Sequence, residues 1–146
     1  LVGRALRCVC NLAAFPGYTV TVDCDVLDAD GGTRTAGITG AYVAPCECAA
    51  RMEAEGLLLM PLLKDGVAAV SCGIVDGEPM LDLAYPEDSR ADADLNVVLS
   101  HSGGLIEVQG TGERRPMEPD EFAALMAYAA AGAQEIEKIQ KAALGL

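Results

Sequence analysis

The stretch VAAVSCGIVDGEPMLDLAY, residues 67–85, decides the fold. Two apolar runs, residues 67–75 and 79–85, lie on either side of the dipeptide Asp76-Gly77. An Asp-Gly pair between two such runs is typical of a two-residue β-hairpin turn, because both turn positions require a positive φ. The stretch therefore predicts two antiparallel strands.

A second hairpin is predicted directly downstream. The segments DLNVVLS, residues 94–100, and LIEVQGT, residues 105–111, are separated by HSGG. A short connection that contains glycine, between runs rich in β-branched residues, favours a hairpin. The middle of the chain is thus expected to contribute four consecutive strands.

Helical patterns surround these strands. An apolar stripe over residues 2–14 predicts one helix, and a small-residue segment from residue 33 to about residue 55 predicts a second, which Pro45 should kink or interrupt. The last helix has the strongest signals, with Pro119 at its start, acidic residues in its first turn, lysines in its last turn and Gly145 after its end.

One further strand is predicted over residues 19–27, where apolar and polar residues alternate. Strands clustered between helices favour an α+β architecture, and we expect a two-layer α/β sandwich. The length of 146 residues fits one domain, residues 1–146.

The charge balance restricts the classes of function. The formal net charge is −12, whereas proteins that coat nucleic acid are normally basic. Arginines concentrated at one site could override that average. The longest apolar run, residues 57–63, is too short to span a bilayer, and no secretory leader opens the chain. We therefore expect a cytoplasmic protein without a membrane partner.

Cysteine and histidine give no strong signal for a metal or a catalytic base. The six cysteines include two C-x-C pairs, a spacing that differs from common zinc motifs, so we expect reduced, buried cysteines. The single histidine, His101, is predicted to be a solvated turn residue.

The segment DADGGTRTAGITGAY, residues 28–42, places Arg34 at the start of a predicted helix. The first turn of a helix has free backbone N–H groups and a partial positive charge. A cation there is electrostatically misplaced unless an anion joins it, and Gly31 and Gly32 would let the backbone approach that anion closely. This segment therefore predicts an anion-binding site.

A second candidate lies in YPEDSRADADLNVV, residues 85–98. Asp92 and Asp94 would share one face of a strand, and Asp88 could fold over the same position. Such carboxylates suit Mg²⁺, although an acidic surface turn is the alternative interpretation. Together with the anion site, they would provide the groups needed for chemistry at a phosphate ester.

Four blocks of the chain resemble successive blocks of ribonuclease PH, a phosphorolytic 3′→5′ exoribonuclease family. They match in order and spacing, and they are LVGRALR (1–7), DCDVLDADGGTRTAGITGAYVA (23–44), residues 67–98 and EVQGTGE (107–113). The resemblance implies a fold like that of ribosomal protein S5 domain 2. It also implies that the chain corresponds to the larger, C-terminal part of the family's chain and lacks the N-terminal part.

The resemblance further implies a phosphate-dependent exoribonuclease that trims the 3′ end of precursor tRNA and releases nucleoside diphosphates. The family's phosphate-binding triplet corresponds to Gly32, Thr33 and Arg34, with inorganic phosphate as co-substrate. The family's catalytic acids, associated with Mg²⁺, correspond to Asp88 and Asp94. The implied assembly is a homo-oligomer, a hexameric ring of dimers.

Two alternatives remain open at this point. The chain could be a non-catalytic ring subunit of an exosome-like complex, although such a subunit would not need Thr33, Arg34, Asp88 and Asp94 together. It could also be a truncated fragment that is inert alone.

Overall fold

The computed structural model describes all residues, 1–146. Four strands form one antiparallel sheet in the order β2-β1-β3-β4. The elements, in chain order, are α1 (Val2–Val9), a 3-10 turn (Leu12–Ala14), α2 (Thr33–Ala54), β1 (Val67–Val75), β2 (Glu78–Leu81), α3 (Tyr85–Asp88), β3 (Ala93–Ser100), β4 (Leu105–Gly112) and α4 (Pro119–Ala143).

Both predicted hairpins are confirmed. Asp76 and Gly77 have φ values of 54° and 82°, the positive pair that the first hairpin turn requires. Strand β1 coincides with the predicted run, whereas β2 is shorter than predicted, because Asp82 has a φ of 57°, outside the range of a strand, and Tyr85 begins α3.

The α+β class is confirmed, and the helices cover both faces of the sheet. Helix α4 packs on one face through Leu125, Ala129 and Ala133. Helices α1 and α2 pack on the other face, where Ile38 of α2 belongs to a second cluster of buried apolar residues. Helices thus pack on both faces of the sheet, and every residue of β1 is buried, the pattern of a strand enclosed on both faces.

The helices follow the predictions with two differences. Helix α4 begins at Pro119 as predicted, and Gly145 after its end has a φ of 72°. Helix α1 ends at Val9, earlier than the predicted residue 14. Helix α2 continues through Pro45, which is buried, so the expected interruption does not occur.

The strand predicted over residues 19–27 is absent, and that prediction is wrong. The segment has no regular secondary structure, and most of its side chains are exposed. A strand requires a neighbour that completes its backbone hydrogen bonds, and no strand of the sheet pairs with these residues. The alternation of apolar and polar residues is therefore not sufficient to form a strand here.

His101 lies in the turn after β3, as predicted, but its side chain is only 12% exposed, so the expectation that it is solvated is wrong. Its Nε2 lies 2.8 Å from Oε1 of the buried Gln140. Because the Gln140 amide nitrogen donates to the carbonyl oxygens of Thr39 and Val67, Oε1 is the acceptor and His101 donates from Nε2. This network joins α4 to α2 and β1.

The cysteines also differ from expectation, since only Cys72 is buried, while Cys8 and Cys24 are exposed. Burial raises the pKa of the Cys72 thiol to about 12. None of the helices has the length and apolarity needed to cross a lipid bilayer.

Candidate active site

The start of α2 carries unused hydrogen-bond donors. Gly32 is the N-cap residue, with a φ of 68°, and no side chain caps the helix. The backbone N–H groups of Thr33, Arg34 and Thr35 donate to no acceptor within the protein. Three free donors at the positive end of a 22-residue helix form a surface suited to an anion.

The loop before α2 holds the acidic helix α3 in place. A carboxylate oxygen of Asp30 accepts a 2.5 Å hydrogen bond from the Tyr85 backbone N–H. Gly31 packs so closely against the backbone of Leu83 that a Cβ atom would overlap the Leu83 carbonyl oxygen. Gly31 was expected to let the backbone approach an anion closely, whereas in the structure it permits close approach of the protein's own backbone.

The second hairpin determines the position of Asp94. In the sheet, Asp94 lies opposite Thr111 of β4 and Gly73 of β1. Just before β3, the N–H of Asp92 donates to Ile74 O, and Asp92 O accepts from the N–H of Arg114 at 3.0 Å. The residues that follow β4 therefore lie beside those that precede β3.

These elements enclose a polar cavity of about 400 Å³. It lies between the start of α2, helix α3 and the adjoining ends of β3 and β4. Its lining side chains are mostly charged, and the residues are Arg34, Asp88, Ser89, Ala91, Asp94, Glu113 and Arg114.

Asp94 is the residue of this cavity whose acidity is most clearly altered. Burial raises the pKa of the Asp94 carboxyl above its ordinary value, and the negative charges of Glu113 and Asp88 raise it further. The Arg34 guanidinium opposes this rise but does not cancel it. Asp94 thus retains a proton at a higher pH than an exposed aspartate does.

Both arginines of the cavity are available to bind an anion. Neither Arg34 nor Arg114 forms a salt bridge with a carboxylate, unlike the neighbouring Arg115, which pairs with Glu121 at 2.7 Å. An arginine without an acidic partner can donate to phosphate oxygens through its planar fork of N–H groups.

The structure brings together Arg34, Asp88 and Asp94, three of the residues singled out in the sequence. Gly32 lies at the adjoining N-cap, and Thr33 lines a neighbouring groove beneath residues 22–30. Asp92 does not line the cavity. Its carboxylate lies 3.6 Å from the Arg115 guanidinium, and the residue precedes β3, which begins at Ala93.

The carboxylate oxygens of the cavity are compatible with a magnesium ion that keeps most of its water ligands. No three histidine, cysteine or acidic side chains converge closely enough to enclose a metal. Asp88 and Asp94 nevertheless line one cavity, and their charges repel each other. Mg²⁺ is commonly held by one or two carboxylates plus water, so this pair is compatible with it.

Sequence reasoning missed two residues of the cavity, Glu113 and Arg114. The signal was available in the predicted hairpin of residues 94–100 and 105–111. An antiparallel pair brings the residues after its second strand beside those before its first. The end of β4 therefore had to approach the acidic segment, but the register needed to identify the two residues was not known.

Comparisons with known proteins agree with this fold. Residues 65–132 match the family model described as "3′ exoribonuclease family, domain 2". This segment of the chain is therefore similar to that family. Over nearly its whole length the chain is similar to ribonuclease PH. It is 51% identical to ribonuclease PH of Methylorubrum populi over 144 residues and 50% identical to that of Methylobacterium sp. strain 4-46 over 145 residues.

Each of these alignments covers 99% of this chain and 61% of the relative. The chain thus spans about three fifths of the length of the curated relatives it matches.

Solved structures share the fold at lower identity. Rice Rrp46 superposes with a TM-score of 0.73 and 21% identity, over 99% of this chain and 63% of that one. The Archaeoglobus fulgidus exosome with RNA bound to the active site gives a TM-score of 0.58 at 21% identity, over 77% of this chain and 44% of that one. These likenesses establish the fold.

Proposed function

We propose that the protein containing this chain is a phosphate-dependent 3′→5′ exoribonuclease. In this proposal it removes nucleotides from RNA 3′ ends, precursor tRNA among them, and releases nucleoside diphosphates in the cytoplasm. The observation that carries the proposal is that Arg34, at the start of α2, lines one cavity with the carboxylates of Asp88 and Asp94. The 51% identity to a ribonuclease PH supports it independently.

The cavity has the groups that attack by phosphate requires. Inorganic phosphate would bind the free N–H groups at the start of α2 and the Arg34 guanidinium. One phosphate oxygen then forms a bond to the phosphorus of the terminal phosphodiester, while the bond from that phosphorus to the 3′ oxygen breaks. The products are a nucleoside 5′-diphosphate and an RNA shortened by one nucleotide.

The departing 3′ oxygen needs a proton, and Asp94 is the group suited to supply it. Its pKa is raised by burial and by the neighbouring carboxylates, so a proton is more available there than on an ordinary aspartate. Arg34 remains close enough to stabilise the carboxylate that forms after the transfer.

A bound Mg²⁺ would be held by the Asp88 carboxylate and, through one of the ion's water molecules, by Asp94, which can then keep the proton that it donates. The ion would neutralise charge that develops on the phosphoryl oxygens. Inorganic phosphate, in this scheme, is a co-substrate held by separate residues.

RNA binding by this acidic chain, whose net charge is −12, depends in this proposal on the two arginines of the cavity. Arg34 and Arg114 line the cavity together with its carboxylates, and neither forms a salt bridge. We propose RNA 3′ ends as the binding partner, and a homo-oligomeric ring, hexameric as in the family, as the assembly.

The second candidate is a non-catalytic ring subunit of an exosome-like complex. It is favoured by one observation, the structural likeness to rice Rrp46 and to archaeal exosome cores. Against it stands the shared cavity of Arg34, Asp88 and Asp94, since a subunit without activity has no need of that arrangement.

The complete gene product should shorten a 3′-extended tRNA only when inorganic phosphate is supplied. The measurement is gel analysis of the RNA together with chromatography of the released nucleotides, in phosphate buffer and in phosphate-free buffer of equal ionic strength. We expect nucleoside diphosphates. Equal shortening without phosphate, or monophosphate products, would contradict phosphorolysis, and no shortening in either buffer would favour the ring subunit.

Replacing Arg34 by alanine should weaken the use of phosphate more than the use of RNA. Loss of a hydrogen bond to a charged group costs about 1.5–3 kcal/mol, so the KM for phosphate should rise roughly 10–100-fold. Arg51→Ala is the matched control, because Arg51 lies in the last turn of the same helix and forms no salt bridge. An unchanged KM for phosphate in Arg34→Ala would remove this residue from the phosphate site.

A further inference from the structure

Ser71 has a buried hydroxyl without a hydrogen-bond partner. The residue is 5% exposed, and its Oγ is the single buried side-chain nitrogen or oxygen in the structure that lacks a partner. Leaving a buried hydroxyl unpaired costs stability, so natural proteins rarely do so without a reason. The reason is not evident from strand β1 itself, which is otherwise apolar at its buried positions.

The hydroxyl lies on the face of the sheet that is covered by α2. Val67 and Ala69, four and two residues before Ser71, pack with Ile38 of α2, and residues two apart in a strand share a face. A Cβ atom on Gly32 would lie 2.9 Å from Ser71 Oγ. The hydroxyl is therefore directed at the N-cap of α2.

The other hydroxyl at this point is already used. Thr35 Oγ1 donates to the carbonyl oxygen of Gly32 at 2.8 Å, within the first turn of the helix. Ser71 accepts no N–H from this turn and donates to no carbonyl there. Its hydrogen has no acceptor within the protein.

We propose that Ser71 is a phosphate-binding residue, and that its hydroxyl donates a hydrogen bond to an oxygen of inorganic phosphate bound at the start of α2. The inference rests on the proposed function, and it adds a side-chain donor from the sheet to the helix amides and the Arg34 guanidinium. Two elements would then hold the anion: the first turn of α2, through its backbone N–H groups and the Arg34 side chain, and strand β1, through Ser71. The glycine at position 32 is required in this arrangement because any side chain there would occupy the space between Ser71 and the helix.

The test is isothermal titration of the complete gene product with inorganic phosphate, for the wild type and for Ser71→Ala. We expect the dissociation constant for phosphate to rise about tenfold in Ser71→Ala, the usual effect of removing one hydrogen bond to a charged group. Without phosphate, the melting temperature of Ser71→Ala should equal or exceed that of the wild type, since the change removes an unpaired buried hydroxyl. A purely structural role for Ser71 predicts the opposite, a lower melting temperature with unchanged phosphate affinity.

Two further variants make the outcome decisive. Ser102→Ala removes an exposed hydroxyl in the turn between β3 and β4, where it contacts Asp65, and should leave phosphate affinity unchanged. Ser71→Cys keeps the size of the side chain but offers only a weak donor, so it should also bind phosphate less tightly than the wild type.

The failure of this inference is distinguishable from failure of the proposed function. If Arg34→Ala weakens phosphate binding and Ser71→Ala does not, the role of Ser71 is overturned and the phosphate site stands. If the wild type does not bind phosphate, both are overturned. A parallel titration with a short single-stranded RNA in chloride buffer identifies the source of the anion. If Ser71→Ala weakens the binding of RNA but not that of inorganic phosphate, Ser71 contacts the phosphodiester of the RNA, and the proposed role is overturned.

Discussion

Replacing Asp94 by asparagine should lower the turnover of 3′-extended tRNA by at least ~100-fold, since general acid catalysis typically contributes that much. Asparagine has the shape of aspartate but cannot supply a proton to the departing 3′ oxygen. The same change would also weaken the proposed Mg²⁺ site. Turnover is measured with saturating phosphate and RNA, so that a change in binding does not hide the loss of chemistry.

The same variant should be more stable than the wild type at neutral pH. The pKa of Asp94 is higher in the folded protein than its ordinary value of 3.8, so the folded protein binds a proton more tightly than the unfolded chain. The ionised carboxylate therefore costs folding free energy at neutral pH, and this cost is absent below the ordinary value. The stability gain of Asp94→Asn should accordingly shrink as the pH falls through the raised pKa towards 3.8.

The control for this experiment is Asp76→Asn, at an exposed position in the β1–β2 turn that suits asparagine equally well. It should retain full activity and show no comparable change of stability with pH. Full activity of Asp94→Asn would exclude Asp94 from the chemistry, and a loss of both activity and stability would indicate a structural role instead.

Of the substitutions proposed here, the replacement of Gly31 by alanine should cause the largest loss of stability. The added methyl group would overlap the carbonyl oxygen of Leu83, which belongs to the backbone and cannot rotate away. Overpacking of this kind typically costs about 1–3 kcal/mol, and a clash with backbone lies at the upper end or above it. The displaced loop carries Asp30, whose bond to Tyr85 holds α3, so Asp88 should move and activity should fall as well.

The matched control is Gly40→Ala, which makes the same chemical change inside α2. A Cβ atom at Gly40 would have nothing within 4 Å, and alanine is about 1 kcal/mol more favourable than glycine within a helix. Chemical denaturation should therefore show a lower midpoint for Gly31→Ala and a higher one for Gly40→Ala. Equal midpoints for Gly31→Ala and the wild type would show that the loop is not tightly packed against Leu83.

Local patterns predicted the elements whose determinants lie close together in the chain. The Asp76-Gly77 turn, strand β1 and the helix beginning at Pro119 each depend on neighbouring residues, and each is present in the structure. Residues 19–27 show the limit of prediction from local patterns. Their alternation is as regular as that of many strands, but a strand forms only when a partner strand lies beside it.

The candidate site was predicted in part for the same reason. Arg34 was identifiable because a cation at the start of a helix conflicts with the helix dipole, a local contradiction that suggests a ligand. Asp88 and Asp94 were identifiable as a dense cluster of charge. Glu113 and Arg114 were not, because their approach to the cavity depends on the register of β3 against β4.

The amino-acid sequence by itself determined the two hairpins, the last helix and the similarity to ribonuclease PH, since turns, amphipathic periodicity and sequence blocks are properties of short stretches. Only the tertiary structure decided that helices cover both faces of the sheet, that His101 is buried against Gln140, and that Ser71 faces the start of α2. It also decided that Arg34 shares a cavity with Asp88 and Asp94. These relations join residues far apart in the chain, and they follow from how strands pair and which faces pack together, which no short stretch specifies.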